Sequence, residues 1–251
     1  MEFNFFTFLF LLAILTSVIA LLWLNFRQDK SIKNSFDKVP QGFSDNISLE
    51  DHQKAGKYTQ AKLLVNHFEI IFSTLVLLIW TLGGAMNWLD QFWSLRISDP
   101  ILMGTIFILS IMLIASFIDL PFSIYRNFIL EQRFGFNRMT VRTFIGDLIK
   151  EILITLILML PLIYAILYLM NLDAIRDFWW IYVWIIITLF TLTMMWIYPS
   201  FIAPIFNKFN PLDNEVLKNR ITSLLERTGF GSDGIYVMDG SKRSSHGNAY
   251  F

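Results

Sequence analysis

The chain has 251 residues, of which 55% are hydrophobic and 16% charged, with equal numbers of acidic and basic side chains. Soluble domains carry about a quarter charged residues, so this composition excludes an ordinary aqueous domain and predicts a membrane protein. The net charge of zero gives no basis for a nucleic-acid partner, and the absence of cysteine excludes disulfides and thiolate metal ligands.

Five apolar stretches in the chain have about the ~20 residues that a helix needs to cross ~30 Å of hydrocarbon. The first stretch is predicted to be an anchor rather than a signal peptide, because "MEFNFF" is not basic and no small-residue cleavage site follows. Backbone groups in lipid must pair within their own segment, so all five are predicted helices. The fold class is therefore an all-α transmembrane bundle, with a membrane domain over residues 1–205. The spans are predicted at residues 5–24, 68–89, 101–121, 152–170 and 178–198.

The positive charges outside these stretches predict an orientation. Lysine and arginine number 7 in residues 25–65, 1 in 86–100, 5 in 122–151, 1 in 171–177 and 6 after residue 199. Basic loops stay in the cytoplasm. The N-terminus is thus expected outside and the C-terminal segment in the cytoplasm, in a bacterial inner membrane or an endoplasmic reticulum membrane.

Residues 206–251 change character and predict the start of a small α+β cytoplasmic domain. "YPSFIAPIFNKFNPL" has prolines at 199, 204 and 211, which predict a broken interfacial or re-entrant segment. "LDNEVLKNRITSLLERTGF" has helical spacing, with Asp213 or Asn214 as the cap and Gly229 at the end. "GIYVM" is predicted to be a strand, and "HGNAYF" a second extended piece.

Common catalytic motifs are absent from the sequence. Its three histidines, at 52, 67 and 246, include no pair four residues apart, so no H-E-x-x-H zinc helix is present. No G-x-S-x-G and no P-loop occurs either. We therefore predict no catalytic residue and no metal ligand within these residues.

Two acidic residues lie inside or beside the predicted spans, where ionisable groups are costly. Glu69 opens the second span and Asp119 lies near the cytoplasmic end of the third, at a similar depth. They line a polar, water-filled chamber in one interpretation. In the other they snorkel to the interface or pair with a base such as Arg126.

The final segment, "DGSKRSSHGNAYF", has the pattern of a strand at the edge of a small sheet. An edge strand can hold a peptide by adding it as a further strand. Asn248 would then bind a substrate carbonyl and Tyr250 would shape a side-chain pocket. A plain structural hairpin is the alternative. The loop "EQRFGFNRMT" is predicted to lie on the headgroup surface.

Several segments of the chain together resemble the CAAX prenyl protease 1 family, which are integral membrane zinc metalloendopeptidases. The resemblance extends from the second half of the first long loop to residue 251. It is carried by "GIYVMDGSKRSSHGNAYF", "SFIAPIFNKFNPL", "EQRFGFNRMT" and, more weakly, "ISLEDHQKAGKYTQAK".

The resemblance implies a seven-helix enzyme around a water-filled chamber, with zinc on the cytoplasmic side and prenylated or membrane-associated peptides as substrates. It implies that the residues matching "SSHGNAYF" line the substrate cleft, namely Ser245, His246, Asn248, Ala249 and Tyr250. The family's zinc motif and last two helices would follow Phe251. We therefore expect this chain alone to be an inactive N-terminal part that binds no zinc.

Two further functional classes compete with this one. The chain is alternatively a non-catalytic membrane scaffold or the partner of a separate catalytic half. A transporter is disfavoured because transporters carry such charges near the midplane in two matching repeats, and no internal repeat is present.

Overall fold

The computed structural model describes residues 4–232, 234–245 and 247. The chain forms two compact units, the first ending at Gly135 and the second beginning at Phe136. The predicted domain boundary at residues 205 and 206 stays a prediction. The first unit contains α1 (Phe5–Asn34), α2 (Leu49–Thr81), α3 (Ala85–Ser94), α4 (Pro100–Tyr125), a π-helical segment (Arg126–Glu131) and α5 (Gln132–Phe134). The second unit contains α6 (Val141–Met170), α7 (Trp179–Ile197), a second π-helical segment (Tyr198–Ile202), α8 (Ala203–Phe206), β1 (Phe209–Pro211), α9 (Glu215–Thr228) and β2 (Tyr236–Met238).

Within the described residues, five helical stretches are long and apolar enough to cross a membrane, as predicted. At most 11% of each apolar window is buried inside the protein, so their side chains face outward. Exposed apolar surface on this scale is stable only against lipid. The fold is thus an all-helical multi-pass membrane bundle with a small sheet at its C-terminal end. The stretches are Phe5–Asn34, Leu49–Thr81, Pro100–Phe134, Val141–Met170 and Trp179–Phe206.

The helix that contains the predicted second span, 68–89, begins earlier than that span and also ends earlier. α2 begins at Leu49, where the Ser48 hydroxyl caps it by accepting the Asp51 N–H at 3.1 Å. The first half of α2 is helical although it is too polar for lipid, so hydropathy did not reveal it. α2 ends near Gly84, whose φ of +81° favours glycine. A Cβ on Gly83 would lie 2.7 Å from the Ile79 carbonyl oxygen, so the chain needs glycine at this break.

The fourth span also begins earlier than the predicted residue 152. α6 starts at Val141, capped by the Thr140 hydroxyl, which accepts the Thr143 N–H at 3.1 Å. Its first three turns therefore carry Asp147 and Lys150, which apolar runs do not reveal. This charged beginning positions the site described below.

The predicted broken segment is confirmed only in part: the helix continues past Pro199 and Pro204 and breaks after Phe206, before Pro211. The π-helical segment absorbs the first proline, with the Ala203 N–H donating to the Tyr198 carbonyl five residues earlier. Only after Phe206 does the chain become extended.

The predicted helix ending at Gly229 and the predicted strand in "GIYVM", which is β2, are confirmed. α9 is capped by Asn214, whose Oδ1 accepts the Leu217 N–H at 3.0 Å, and it ends at Gly229 with φ +70°. β2 pairs antiparallel with β1. The register joins Phe209 to Met238, Asn210 to Val237 and Pro211 to Tyr236.

Candidate functional site

The loop after β2 is tied to the start of β1 by Asp239. Its Oδ1 accepts the Lys208 backbone N–H at 2.8 Å, and its own N–H donates to the Lys208 carbonyl at 3.1 Å. Its Oδ2 accepts the Lys242 ammonium at 2.5 Å. The Lys242 hydrogen bond, and then the Lys208 backbone bond, hold the pKa of Asp239 below its ordinary value. The loop is thus ordered by an ionised carboxylate.

Arg243, which follows this loop, joins three segments of the second unit. Its Nε and Nη2 donate to the two carboxylate oxygens of Asp147 on α6, at 2.7 and 3.0 Å. Nη1 donates to Asn207 Oδ1 and Nη2 to the Phe206 carbonyl, both at 2.7 Å. This forked pairing fixes direction as well as distance, which lysine cannot do. The side chains of Arg243 and Asp147 are only 21% and 19% exposed, so the pair is mostly buried.

Beyond Arg243, the chain runs antiparallel to the residues that follow Gly135. The Arg138 N–H donates to the Arg243 carbonyl at 3.1 Å, and the Ser245 N–H donates to the Phe136 carbonyl at 3.0 Å. Asn137 and Ser244 form the bridge between them. Residues 243–245 are therefore held on one side by strand-like pairing and at their base by the Arg243 side chain.

A cavity of about 250 Å³ lies beside this anchor. Its wall includes Thr143 and Lys150 of α6, the end of α8, and Lys208, Lys242 and Arg243. Lys150 spans it, donating to the Ile205 carbonyl at 2.9 Å while its ammonium lies 3.7 Å from Asp147. Four of the ten residues that line the cavity are cationic, and one, Asp239, is anionic.

Of the predicted cleft residues, the structure describes only Ser245. It is exposed, and its N–H donates to the Phe136 carbonyl. The other predicted cleft residues lie outside the described residues: His246, Asn248, Ala249 and Tyr250. The predicted cleft therefore stays a prediction, built on an anchored segment that leads into it.

Glu69 and Asp119 have different surroundings in the first unit. Glu69 on α2 forms an ion pair with Arg126, one of the two outcomes foreseen, and its side chain is 13% exposed. Its Oε1 is buried without a hydrogen-bond partner among the described residues. Asp119 on α4 is exposed. A role of either in lining a chamber remains a prediction.

The described residues do not supply a metal centre. No three of their histidine, aspartate or glutamate side chains converge, whereas a catalytic zinc needs about three protein ligands. The residues that would hold the zinc implied by the resemblance are therefore not identified among the described residues.

Sequence reasoning missed the anchor between Asp147 and Arg243. Asp147, Lys150 and Glu151 fall at spacings of three and four, which indicates one charged helical face, but the apolar run alone set the predicted start of this helix. The pairing of 136–138 with 243–245 joins segments more than 100 residues apart, as the separation of 109 between Ser245 and Phe136 shows. No local pattern signals such a contact.

Comparison with known proteins shows what this chain is similar to. Residues 28–208 match the family model described as CAAX prenyl protease N-terminal, five membrane helices. The chain is 36% identical to the CAAX prenyl protease 1 homolog of Dictyostelium discoideum over 239 residues, covering 91% of the chain and 54% of that protein. It is 32% identical to CAAX prenyl protease 1 of Saccharomyces cerevisiae over 242 residues, covering 91% of the chain and 52% of that protein.

A solved structure has the same fold. The crystal structure of S. mikatae Ste24p superposes with a TM-score of 0.86 at 31% identity, covering 95% of this chain and 56% of that one. The chain thus spans about half the length of the curated relatives that it matches.

Proposed function

We propose, from the premise that the chain belongs to the CAAX prenyl protease 1 family, that it supplies the membrane helices and the border of the substrate cleft to a zinc metalloendopeptidase. The substrate class is a prenylated or membrane-associated peptide, cleaved near its C-terminus. The role of residues 1–251 is to bind and orient that peptide. Zinc, held elsewhere in the complete enzyme, would supply the activated water.

One observation carries this proposal: the segment 243–245 is anchored by the Arg243 side chain and paired along its backbone with residues 136–138. A peptide that is held as an added strand needs a neighbouring backbone that does not move. Arg243 fixes the start of that backbone through its bonds to Asp147, Asn207 and Phe206. The pairing with 136–138 fixes its direction. Substrate would add along the continuation of this segment, where Asn248 and Tyr250 follow.

The membrane environment fits the proposed substrate. A lipid chain adds about 0.8 kcal/mol of membrane affinity per buried CH₂, so a prenylated peptide is concentrated at the bilayer surface. We place the C-terminal segment, residues 206–251, on the cytoplasmic side from the distribution of lysine and arginine. Glu69, with one buried oxygen lacking a partner among the described residues, supports a hydrated chamber.

The alternative of a separate catalytic half has no support from the comparisons. In the two relatives described above, the matching region is about half of one longer protein. A non-catalytic scaffold predicts no selective binding of prenylated peptide, and the experiment below separates the two.

The test is photo-crosslinking in lipid nanodiscs. A farnesylated peptide ending in a CAAX sequence, with a benzophenone beside the prenylated cysteine, is irradiated with the chain, and the labelled residues are mapped by mass spectrometry. We expect labelling within residues 243–251, and competition by excess unlabelled farnesylated peptide but not by the same peptide without its prenyl group.

The control is a chain with Ser245→Pro, which removes the N–H that bonds to Phe136. It should lose specific labelling while keeping its helical content by circular dichroism. Labelling spread evenly over the lipid-facing helices, or left unchanged by competitor, would refute the proposed function.

A further inference from the structure

The cavity beside Arg243 lies at the depth of the lipid headgroups. α6 carries no charged residue from 152 to 170, and Lys150 lies two residues, or about 3 Å, before that run. The stretch Trp179–Phe206 has 28 residues, which is about 42 Å of helix and exceeds ~30 Å of hydrocarbon. Its last turns, including Pro204 and Ile205 in the cavity wall, therefore reach the interface.

The cavity has an excess of positive charge. Two carboxylates pair with its cations: Asp147 with Arg243 and Lys150, and Asp239 with Lys242. Among the described residues, the ammonium of Lys208 makes no hydrogen bond or ion pair. Four cationic side chains line the cavity: Lys150, Lys208, Lys242 and Arg243. Against the two carboxylates, they leave an excess of two positive charges.

One rim of the cavity is apolar and faces outward. Ile205 in its wall is 46% exposed. Phe201 lies about one turn before Ile205 on the same helical stretch and is 59% exposed. Trp196 lies further back and is 65% exposed, and the centroids of the two rings are 5.7 Å apart. An acyl chain can run along this surface while a charged group occupies the cavity.

We propose that this cavity binds the phosphate of an anionic phospholipid, with its acyl chains along Ile205, Phe201 and Trp196. The volume of about 250 Å³ is below the ~300–1,000 Å³ of pockets for drug-sized ligands, so it suits a headgroup rather than a whole ligand. Lys208 is the adjustable phosphate donor, because Arg243 is committed to Asp147 and Lys150 to the Ile205 carbonyl. Lys242 would share its ammonium between Asp239 and the phosphate. Basic pockets between helices at the interface commonly hold such headgroups.

This site lies beside the anchor of the proposed cleft, but its existence does not rest on the protease function. Bound lipid would touch Arg243 and the end of α8 together. It would thereby link the composition of the membrane to the position of segment 243–245.

The test measures lipid binding directly by native mass spectrometry of the full chain released from detergent micelles. Phosphatidylglycerol and phosphatidylcholine with identical acyl chains are titrated separately. We expect one tight phosphatidylglycerol molecule per chain. Since each lysine near an anionic lipid surface is worth about a fivefold change in affinity, Lys208→Gln with Lys242→Gln should weaken it roughly 30-fold.

Two matched variants isolate the cavity. Lys218→Gln with Arg220→Gln removes the same charge from exposed positions on α9 and should bind normally. Lys208→Arg with Lys242→Arg keeps the charge and should also bind normally.

Four outcomes overturn the proposal: equal affinity for phosphatidylcholine, equal loss in the α9 variant, full occupancy by inorganic phosphate alone, or displacement of the lipid by a soluble peptide carboxylate. Because the readout is bound mass, a failure here leaves the crosslinking result for the proposed function unaffected.

Discussion

Replacing Arg243 with methionine should release the segment 243–245 without unfolding the helices. Removing one partner of a buried ion pair costs about 3–5 kcal/mol, because the other charge is left buried and unpaired. Here Asp147 is 19% exposed and Lys150 lies 3.7 Å away to neutralise it, so we expect the lower end, about 3 kcal/mol. If opening of the segment limits exchange, its amides should exchange roughly 150-fold faster.

The assay is hydrogen exchange of the chain in nanodiscs, read by mass spectrometry after proteolysis. The reporters are the N–H groups of Arg138 and Ser245, which bond across to the Arg243 and Phe136 carbonyls. Adding Asp147→Leu to Arg243→Met should recover part of the protection, because the orphaned carboxylate is gone. Arg220→Met on α9 is the matched control and should change neither amide. Unchanged protection in Arg243→Met, or equal loss at every helix, would refute the anchoring role.

Two further predictions concern Asp239 and the C-terminal end of α9. Asp239 has a pKa below its ordinary 3.8 in the folded state, so its stabilisation is complete above that pH and is lost as the pH falls through the lower folded value. Protection of the Lys208 and Asp239 amides, corrected for intrinsic rates, should therefore stay constant at neutral pH and fall only in that acidic window, and Asp239→Asn should abolish the transition; a loss of protection near neutral pH would contradict this. Gly229→Ala should destabilise α9 by about 1 kcal/mol in thermal unfolding because φ is +70°, whereas Gly231→Ala, with no positive φ and no neighbour within 4 Å, should be neutral, and equal effects would contradict the assigned cap.

The membrane helices were predictable because lipid leaves the chain few choices. An apolar run of about 20 residues must form a helix, and all five predicted runs correspond to helices. The ends were harder to predict. α2 extends to Leu49 through polar residues, and α6 begins at Val141, because capping groups and helix propensity act outside lipid where hydropathy carries no information.

The site was predictable only where it is local. Asn214, as one of two candidate caps beside Asp213, and Gly229 were identified from residue type and position, and both cap α9 in the structure. The bonds from Arg243 to Asp147, 96 residues earlier, arise from tertiary folding, so no spacing rule contains them. The tolerance of Pro199 within a helix depended likewise on a widened turn, which sequence alone does not indicate.

The widened turn Tyr198–Ile202 sets the direction in which the residues after it point around the helix axis. In an α-helix each residue rotates the chain by about 100°, so adding or removing one residue between Tyr198 and Ile202 would turn everything after it by that amount. The Phe206 carbonyl and Asn207 would then point away from Arg243, whose guanidinium N–H groups they now accept. The number of residues in this short stretch, more than their identity, is what aims the end of the last membrane helix at the C-terminal segment.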